Sequence, residues 1–261
     1  MNKLVKVFAM AVMLVIGGQA MAQTRGAMFL GASFPMSDFA EFDGFNEFPL
    51  TATDLDADDA GAGIGFNAGL KWYFNVGVKG LGVLLSVDGF YNGPNSDLKT
   101  LYRKGEAFQI YDYDNEYDSF TYKSTPQYIN VPAMLGMNYI YHFNPNLAVY
   151  VEAGAGGNLR LITDMENVYQ THVSSVHGTY KAITSYDKAF SFAYQAGVGI
   201  EVAKNLVIGC SFYDLGAAQV KGERTLKQTD GTPPFMENKT EYQEYGTVHP
   251  IMILGRIGFC F

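Results

Sequence analysis

The chain has 261 residues, a formal net charge of -8, 15% aromatic residues and 29 glycines. Only 17% of its residues are charged, against roughly a quarter in ordinary soluble domains. The acidity argues against nucleic-acid binding, which needs a basic stripe. Beyond residue 22 no apolar run approaches the roughly 20 residues that a transmembrane helix requires.

Residues 1–22 have the layout of a secretory signal. Lys3 and Lys6 precede an apolar run from Val7 to Ile16, and Ala20-Met21-Ala22 offers an A-x-A cleavage site. Processing there starts the mature chain at Gln23, leaves 239 residues and moves the formal charge from -8 to -10. The expected organisation is a signal peptide over 1–22 and one barrel domain over 23–261, a length that suits a single all-β domain.

Eight strands are predicted, over 25–34, 62–74, 81–92, 127–143, 147–161, 188–202, 206–217 and 248–261. Asn75–Gly80, Asn144–Asn146 and Ala203–Asn205 are short turns rich in Asn, Gly and Pro. Long polar segments near 35–61, 93–126, 162–187 and 218–247 make the other connections. This alternation is the asymmetry of an outer-membrane barrel, with both termini on the short-turn side. Eight antiparallel strands in an up-and-down meander is therefore the expected fold.

Period-2 alternation separates two faces in seven of the eight strands. One is apolar: Phe66, Leu70, Trp72 and Phe74, then Leu135, Met137 and Tyr139, then Phe190, Phe192 and Tyr194, for example. The other carries Asn67, Lys71, Asp88, Asn130, Asn138, Glu152, Asn158, Arg160, Gln195, Glu201 and Arg256. The first strand is ambiguous. A soluble lipid-binding barrel would turn the apolar face inward, a membrane barrel outward. Glycine favours the second, because Gly65, Gly69, Gly136, Gly154, Gly156, Gly197, Gly199, Gly209 and Gly258 all share the charged face. Water gives no reason for small residues, whereas the narrow lumen of an eight-stranded barrel does. Trp72, Tyr73 and Phe74, with Tyr139, Tyr141 and Phe143, are expected to form an aromatic girdle beside the short turns.

Charges enclosed in such a lumen should be paired. Lys71, Glu152, Glu201 and Arg256 lie near the short-turn ends of their strands and are expected to meet at similar depth. Asp88 and Arg160 sit higher and extend the set. Structural ion pairs plugging the lumen are the plain reading; a narrow selective pore is the alternative. Cys210 falls on the apolar face and Cys260 on the other, so both are expected to be free thiols.

The final strand runs Ile251-Met252-Ile253-Leu254-Gly255-Arg256-Ile257-Gly258-Phe259-Cys260-Phe261. A greasy strand with a terminal Phe resembles the closing strand of bacterial outer-membrane β-barrels. Arg256 stands where that family commonly has glycine. Tyr128-Ile129-Asn130-Val131-Pro132, followed by Leu135-Gly136, resembles a recurring stretch in small "porin family" barrels, and Pro132 predicts a local bulge near the outer rim. The resemblance implies an integral outer-membrane protein in contact with outer-membrane lipid and lipopolysaccharide. It also implies that Phe259 and Phe261 form the insertion signal read by the barrel-insertion machinery.

The long loops are the remaining place for chemistry. The first is acidic, with Asp38, Glu41, Asp43, Glu47, Asp54, Asp56, Asp58 and Asp59. Its Asp54–Asp59 run lacks the glycine and distal glutamate of a calcium loop, so a solvated loop is expected and no metal site is assigned. In the second, Tyr111, Tyr113, Tyr117, Phe120 and Tyr122 alternate with acids. A hairpin extending the barrel fits best, with an extracellular ligand surface as the alternative. His172, His177, Ser174 and Ser175 lie in the third loop near Asp164 and Glu166, but sequence proximity does not make a triad. The expectation is a non-enzyme without cofactor, in a structural or interaction role. A passive pore is second, and a lipid A-modifying or surface hydrolase third.

Overall fold

The structure is a computed structural model that describes residues 24–41, 60–96, 110–111, 117–173, 176–203, 205–231 and 239–261. The proposed signal over 1–22 and the acidic run Asp54–Asp59 lie outside the described residues. Strands in chain order are β1 (Thr24–Met36), β2 (Gly65–Asn75), β3 (Leu81–Asn92), β4 (Ile110–Tyr111), β5 (Tyr117–Ser124), β6 (Tyr128–Asn144) and β7 (Leu147–Ile162). They continue with β8 (Met165–Val173), β9 (Val176–Tyr186), β10 (Ala189–Val202), β11 (Leu206–Asp214), β12 (Ala218–Gly231), β13 (Lys239–Val248) and β14 (Ile251–Cys260). Among the described residues no helix is long and apolar enough to cross a membrane.

Eight strands close into an antiparallel barrel in the order β1-β14-β11-β10-β7-β6-β3-β2. Their positions follow from the alternation: each buries one residue set and presents the other. Leu30, Phe66, Leu135, Phe192, Ile257 and Phe259 are exposed on the outside. Asn67, Lys71, Asp88, Asn130, Asn158 and Arg256 are buried in the lumen. The ambiguous first strand resolves as Ala27, Phe29 and Ser33 inward and Met28, Leu30 and Phe34 outward. Closure is made by β1 against β14, with Phe29 opposite Gly258 and Gly31 opposite Arg256. The Gly26 and Phe261 backbones exchange two further hydrogen bonds.

Described parts of three of the long connections are themselves strand. A second sheet of six strands, in the order β13-β12-β9-β8-β5-β4, stands at the long-loop end. Five of its strands are barrel strands resumed after short breaks at 125–127, 163–164, 187–188, 215–217 and 249–250. The hairpin expected in the second loop exists as β4 paired with β5. The others went unpredicted because the face they bury mixes polar with small and apolar residues, Asn167 and Thr184 beside Met165, Ala182 and Val220, and so leaves no clean apolar alternation to read.

Pro132 lies inside β6 without a bulge. The β3–β6 pairing runs to Val87↔Ala133 and resumes in the same register at Phe90↔Asn130. The missing proline N–H interrupts the ladder without inserting a residue. Of the expected girdle, Tyr139, Tyr141 and Phe143 are exposed on the exterior, whereas the Tyr73 hydroxyl faces the lumen and donates to Glu152.

Candidate functional site

The lumen holds the concentration of buried polar chemistry, in three levels. In the middle, the Lys71 ammonium donates to Glu152 Oε1, and both side chains are inaccessible to solvent. Arg256 Nη1 lies 3.0 Å from Asp88 Oδ1, and its Nη2 lies 3.6 Å from Glu152 Oε1. Arg256 also donates to Ser211 Oγ at 2.5 Å and to the Tyr213 hydroxyl at 3.2 Å, while Tyr213 donates to Asp88 Oδ2 at 2.8 Å. Two cations thus face two carboxylates, and the hydrogen bonds meet the condition for keeping charges away from water. The Phe29 ring is wedged against both cations, its centroid 5.3 Å from Lys71 Nζ and 5.3 Å from Arg256 Cζ. Its quadrupole presents negative density to both.

Glycine supplies the room. A Cβ on Gly69 would lie 2.0 Å from Asp88 Oδ1, and one on Gly197 would lie 2.8 Å from Glu152 Oε1. The small inward residues are therefore the space into which the carboxylates are folded.

Above this layer an apolar cluster shares the lumen with buried polar side chains, among them Ser33, Asn92, Asn130 and Asn158. Phe90, Met134, Tyr213, Met252, Leu254 and Leu215 pack with the short 3-10 turn Ser37–Phe39 and with Ala60 and Ala62, which enter the mouth from the first loop. Phe39 meets Tyr128 edge-on at 5.3 Å, and the Tyr128 hydroxyl donates to the Ala60 carbonyl at 2.6 Å. Arg160 lies at this end, 1% exposed. Its guanidinium donates to the carbonyls of Val248 at 2.6 Å and Gly216 at 2.9 Å, and to Asn130 Oδ1 at 3.3 Å. It pins the breaks between β11 and β12 and between β13 and β14.

Below the middle layer, Glu201 pairs with Arg25 at 2.5 Å, near the short-turn mouth. The six expected residues thus separate. Lys71, Asp88, Glu152 and Arg256 form one cluster, Glu201 belongs to a second pair, and Arg160 binds backbone carbonyls. Arg25 and Phe29 were missed because they sit on the strand whose faces were unassigned. Tyr213 and Ser211 share the face of Gly209, so strict alternation would have included them.

Phe259 and Phe261 are exposed on the exterior, with the Phe261 ring over Gly26. Cys210 is exposed and Cys260 buried, both as free thiols. In the third loop His172 lies opposite His177 at the tip of the β8–β9 hairpin, whereas Glu166 lies opposite Ile183 toward its base. Glu166 is held there by Lys181 at 2.8 Å. The Ser174 and Ser175 positions lie outside the described residues. Among the described residues no group of three His, Cys, Asp or Glu side chains is placed to hold a metal ion.

In the upper sheet, Glu244 accepts from Lys221 and from Gln219 Nε2, the latter at 2.7 Å. The Lys221 ammonium holds the Glu244 carboxyl below its ordinary range. The Tyr242 hydroxyl donates to Asp187 Oδ2 at 2.6 Å, and that bond raises the phenol above its ordinary value.

No family model matches the chain. No curated protein matches it either. Among solved structures it is similar to Ail, the attachment invasion locus protein of Yersinia pestis, in complex with the heparin analogue sucrose octasulfate. That match has 14% identity over 92% of this chain and 99% of the other, with a TM-score of 0.35. It is similar to the outer membrane protein OprG from Pseudomonas aeruginosa at 12% identity, over 91% and 94% of the two chains, with a TM-score of 0.38. A major outer membrane protein from Thermus thermophilus is similar at 8% identity, over 92% and 100%, with a TM-score of 0.45.

Proposed function

We propose that the protein is an integral outer-membrane barrel of bacterial type, exported through a cleaved signal, with a sealed lumen and a structural or interaction role at the cell surface. The observation that carries this reading is the pairing of an apolar exterior with a filled interior. Met28, Leu30, Phe66, Phe190, Phe192 and Ile257 are all more than half exposed. A continuous band of this kind exceeds the few hundred Å² of apolar patch that soluble monomers usually expose. Acyl chains satisfy that surface, and a closed barrel leaves no unpaired strand edge in lipid.

The filled lumen supports a plug over a pore. Lys71, Asp88, Arg256, Met252 and Leu254 are each less than 5% exposed and occupy successive levels of the interior. Passage of a solute would require parting two buried ion pairs and then an apolar cluster. The long-loop end offers the six-stranded sheet to the outside, where a surface ligand or partner would meet it. Planar-bilayer recording on the purified protein tests the sealed state: electrical silence is expected, and reproducible conductance steps would favour the passive pore. Incubation with lipid A followed by mass spectrometry, expected to show no acyl change, tests the non-enzymatic role.

A further inference from the structure

Beneath the ion-paired layer lies a cavity of about 400 Å³ at the short-turn mouth, lined by Arg25, Tyr73, Phe74, Lys79, Asn138 and Glu201, among others. The plug makes no use of it. Tyr73 lines it and carries its hydroxyl to Glu152 in the buried layer above. Apolar side chains, including Ile140 and Val207, supply one side of the wall. Arg25, Lys79 and Glu201 place a net charge of +1 at its mouth in a chain whose net charge is -8. The Arg25 side chain is 30% exposed even while paired with Glu201, and Lys79 is exposed on the β2–β3 turn.

One group inside is not satisfied by the protein. Asn138 is 8% exposed, lines the cavity, and its side-chain carbonyl oxygen is buried without a hydrogen-bond partner. Gly82 opposite leaves that oxygen room, since a Cβ there would lie 2.5 Å from it. A buried acceptor without a donor is destabilising, and a bound molecule carrying an N–H or O–H would remove that cost.

We propose that this vestibule is a binding site, open on the periplasmic side, for a small amphiphilic carboxylate. The carboxylate meets Arg25 and Lys79 at the mouth, the apolar body lies against Val207 and Ile140, and an amide or hydroxyl hydrogen reaches Asn138. Such a ligand resembles an N-acylated amino acid in size and polarity. The site goes beyond the sealed-barrel reading and borrows from it only the side on which the vestibule opens.

The experiment is calorimetry of the full protein in detergent micelles, with N-benzoylglycine as probe. N-methylbenzamide, which lacks the carboxylate, and protein-free micelles serve as controls. Saturable binding of N-benzoylglycine alone is expected. Asn138→Leu should weaken it about tenfold, the size of one lost hydrogen bond. Lys79→Gln, on an exposed turn and harmless to folding, should weaken it severalfold with a steeper loss at low salt. Heats no larger than those of empty micelles, equal heats for the two compounds, or full affinity in Lys79→Gln and Asn138→Leu would each overturn the proposal. A protein that fails to bind the probe yet remains silent in bilayers would lose the vestibule and keep the sealed barrel.

Discussion

Arg256 and Asp88 lie 168 positions apart in the chain and 3.0 Å apart in the lumen, where neither side chain is more than 2% exposed. Their contact joins the closing strand to the opposite wall, so the barrel's last strand is fastened from inside as well as by its ladders. Removing one partner of a buried pair strands the other charge, at about 3–5 kcal/mol. Arg256→Ala should therefore lower the unfolding midpoint in liposomes by an amount in that range. A loss below about 0.5 kcal/mol, within the scatter of surface substitutions, would mean that these groups are not coupled.

Lys71→Met should be milder than Arg256→Ala. Glu152 would keep Arg256 Nη2 at 3.6 Å and the Tyr73 hydroxyl at 3.4 Å, whereas loss of Arg256 leaves Asp88 with the Tyr213 hydroxyl. Equilibrium unfolding of the two variants side by side checks the ranking. The reverse order would contradict the assigned geometry.

Arg160 should act on the upper sheet more than on the barrel. Its guanidinium holds the carbonyls of Gly216 and Val248 at two of the breaks. With Arg160→Leu, amide exchange over 215–231 and 239–250 should quicken while the β6–β7 ladder stays protected. Unchanged protection at both breaks would remove Arg160 from that role.

Acid should loosen the β12–β13 hairpin through Glu244. Its carboxyl is held below the ordinary glutamate value of 4.5 by the Lys221 bond. A depressed folded-state value contributes stability that is complete above about 4.5 and is lost as pH falls through the folded-state value. Lys221→Gln should return the Glu244 titration, followed by carboxyl NMR, toward its ordinary value. A titration indifferent to that substitution would show the pair to be unformed in solution.

The barrel strands were legible because lipid and lumen impose opposite demands on alternate residues, as Phe66, Asn67, Ala68 and Gly69 illustrate. β1 was not legible, because Phe29 turns an aromatic ring inward to meet two cations while Met28 and Leu30 turn outward. Charge on the inward face was legible, but partner choice was not. Glu201 goes to Arg25 because both reach the short-turn mouth, and that depth depends on barrel shear, which single-strand periodicity does not contain. Arg160 looked like a member of an ion-pair set because sequence displays side-chain charges and conceals carbonyls freed at strand breaks. The upper sheet was hidden for a related reason: its buried face carries Asn167 and Thr184 beside Ala182 and Val220, and that mixture leaves no apolar period.

Trp72, the single tryptophan of the chain, lies on the outward face of β2 near the short turns, and its emission reports directly on what that face touches. In vesicles containing lipids brominated along the acyl chain, the fluorescence should be strongly quenched, most by bromines near the headgroup, while aqueous iodide has little effect. Efficient iodide quenching with no response to brominated lipid would place the apolar face in water and contradict the membrane barrel.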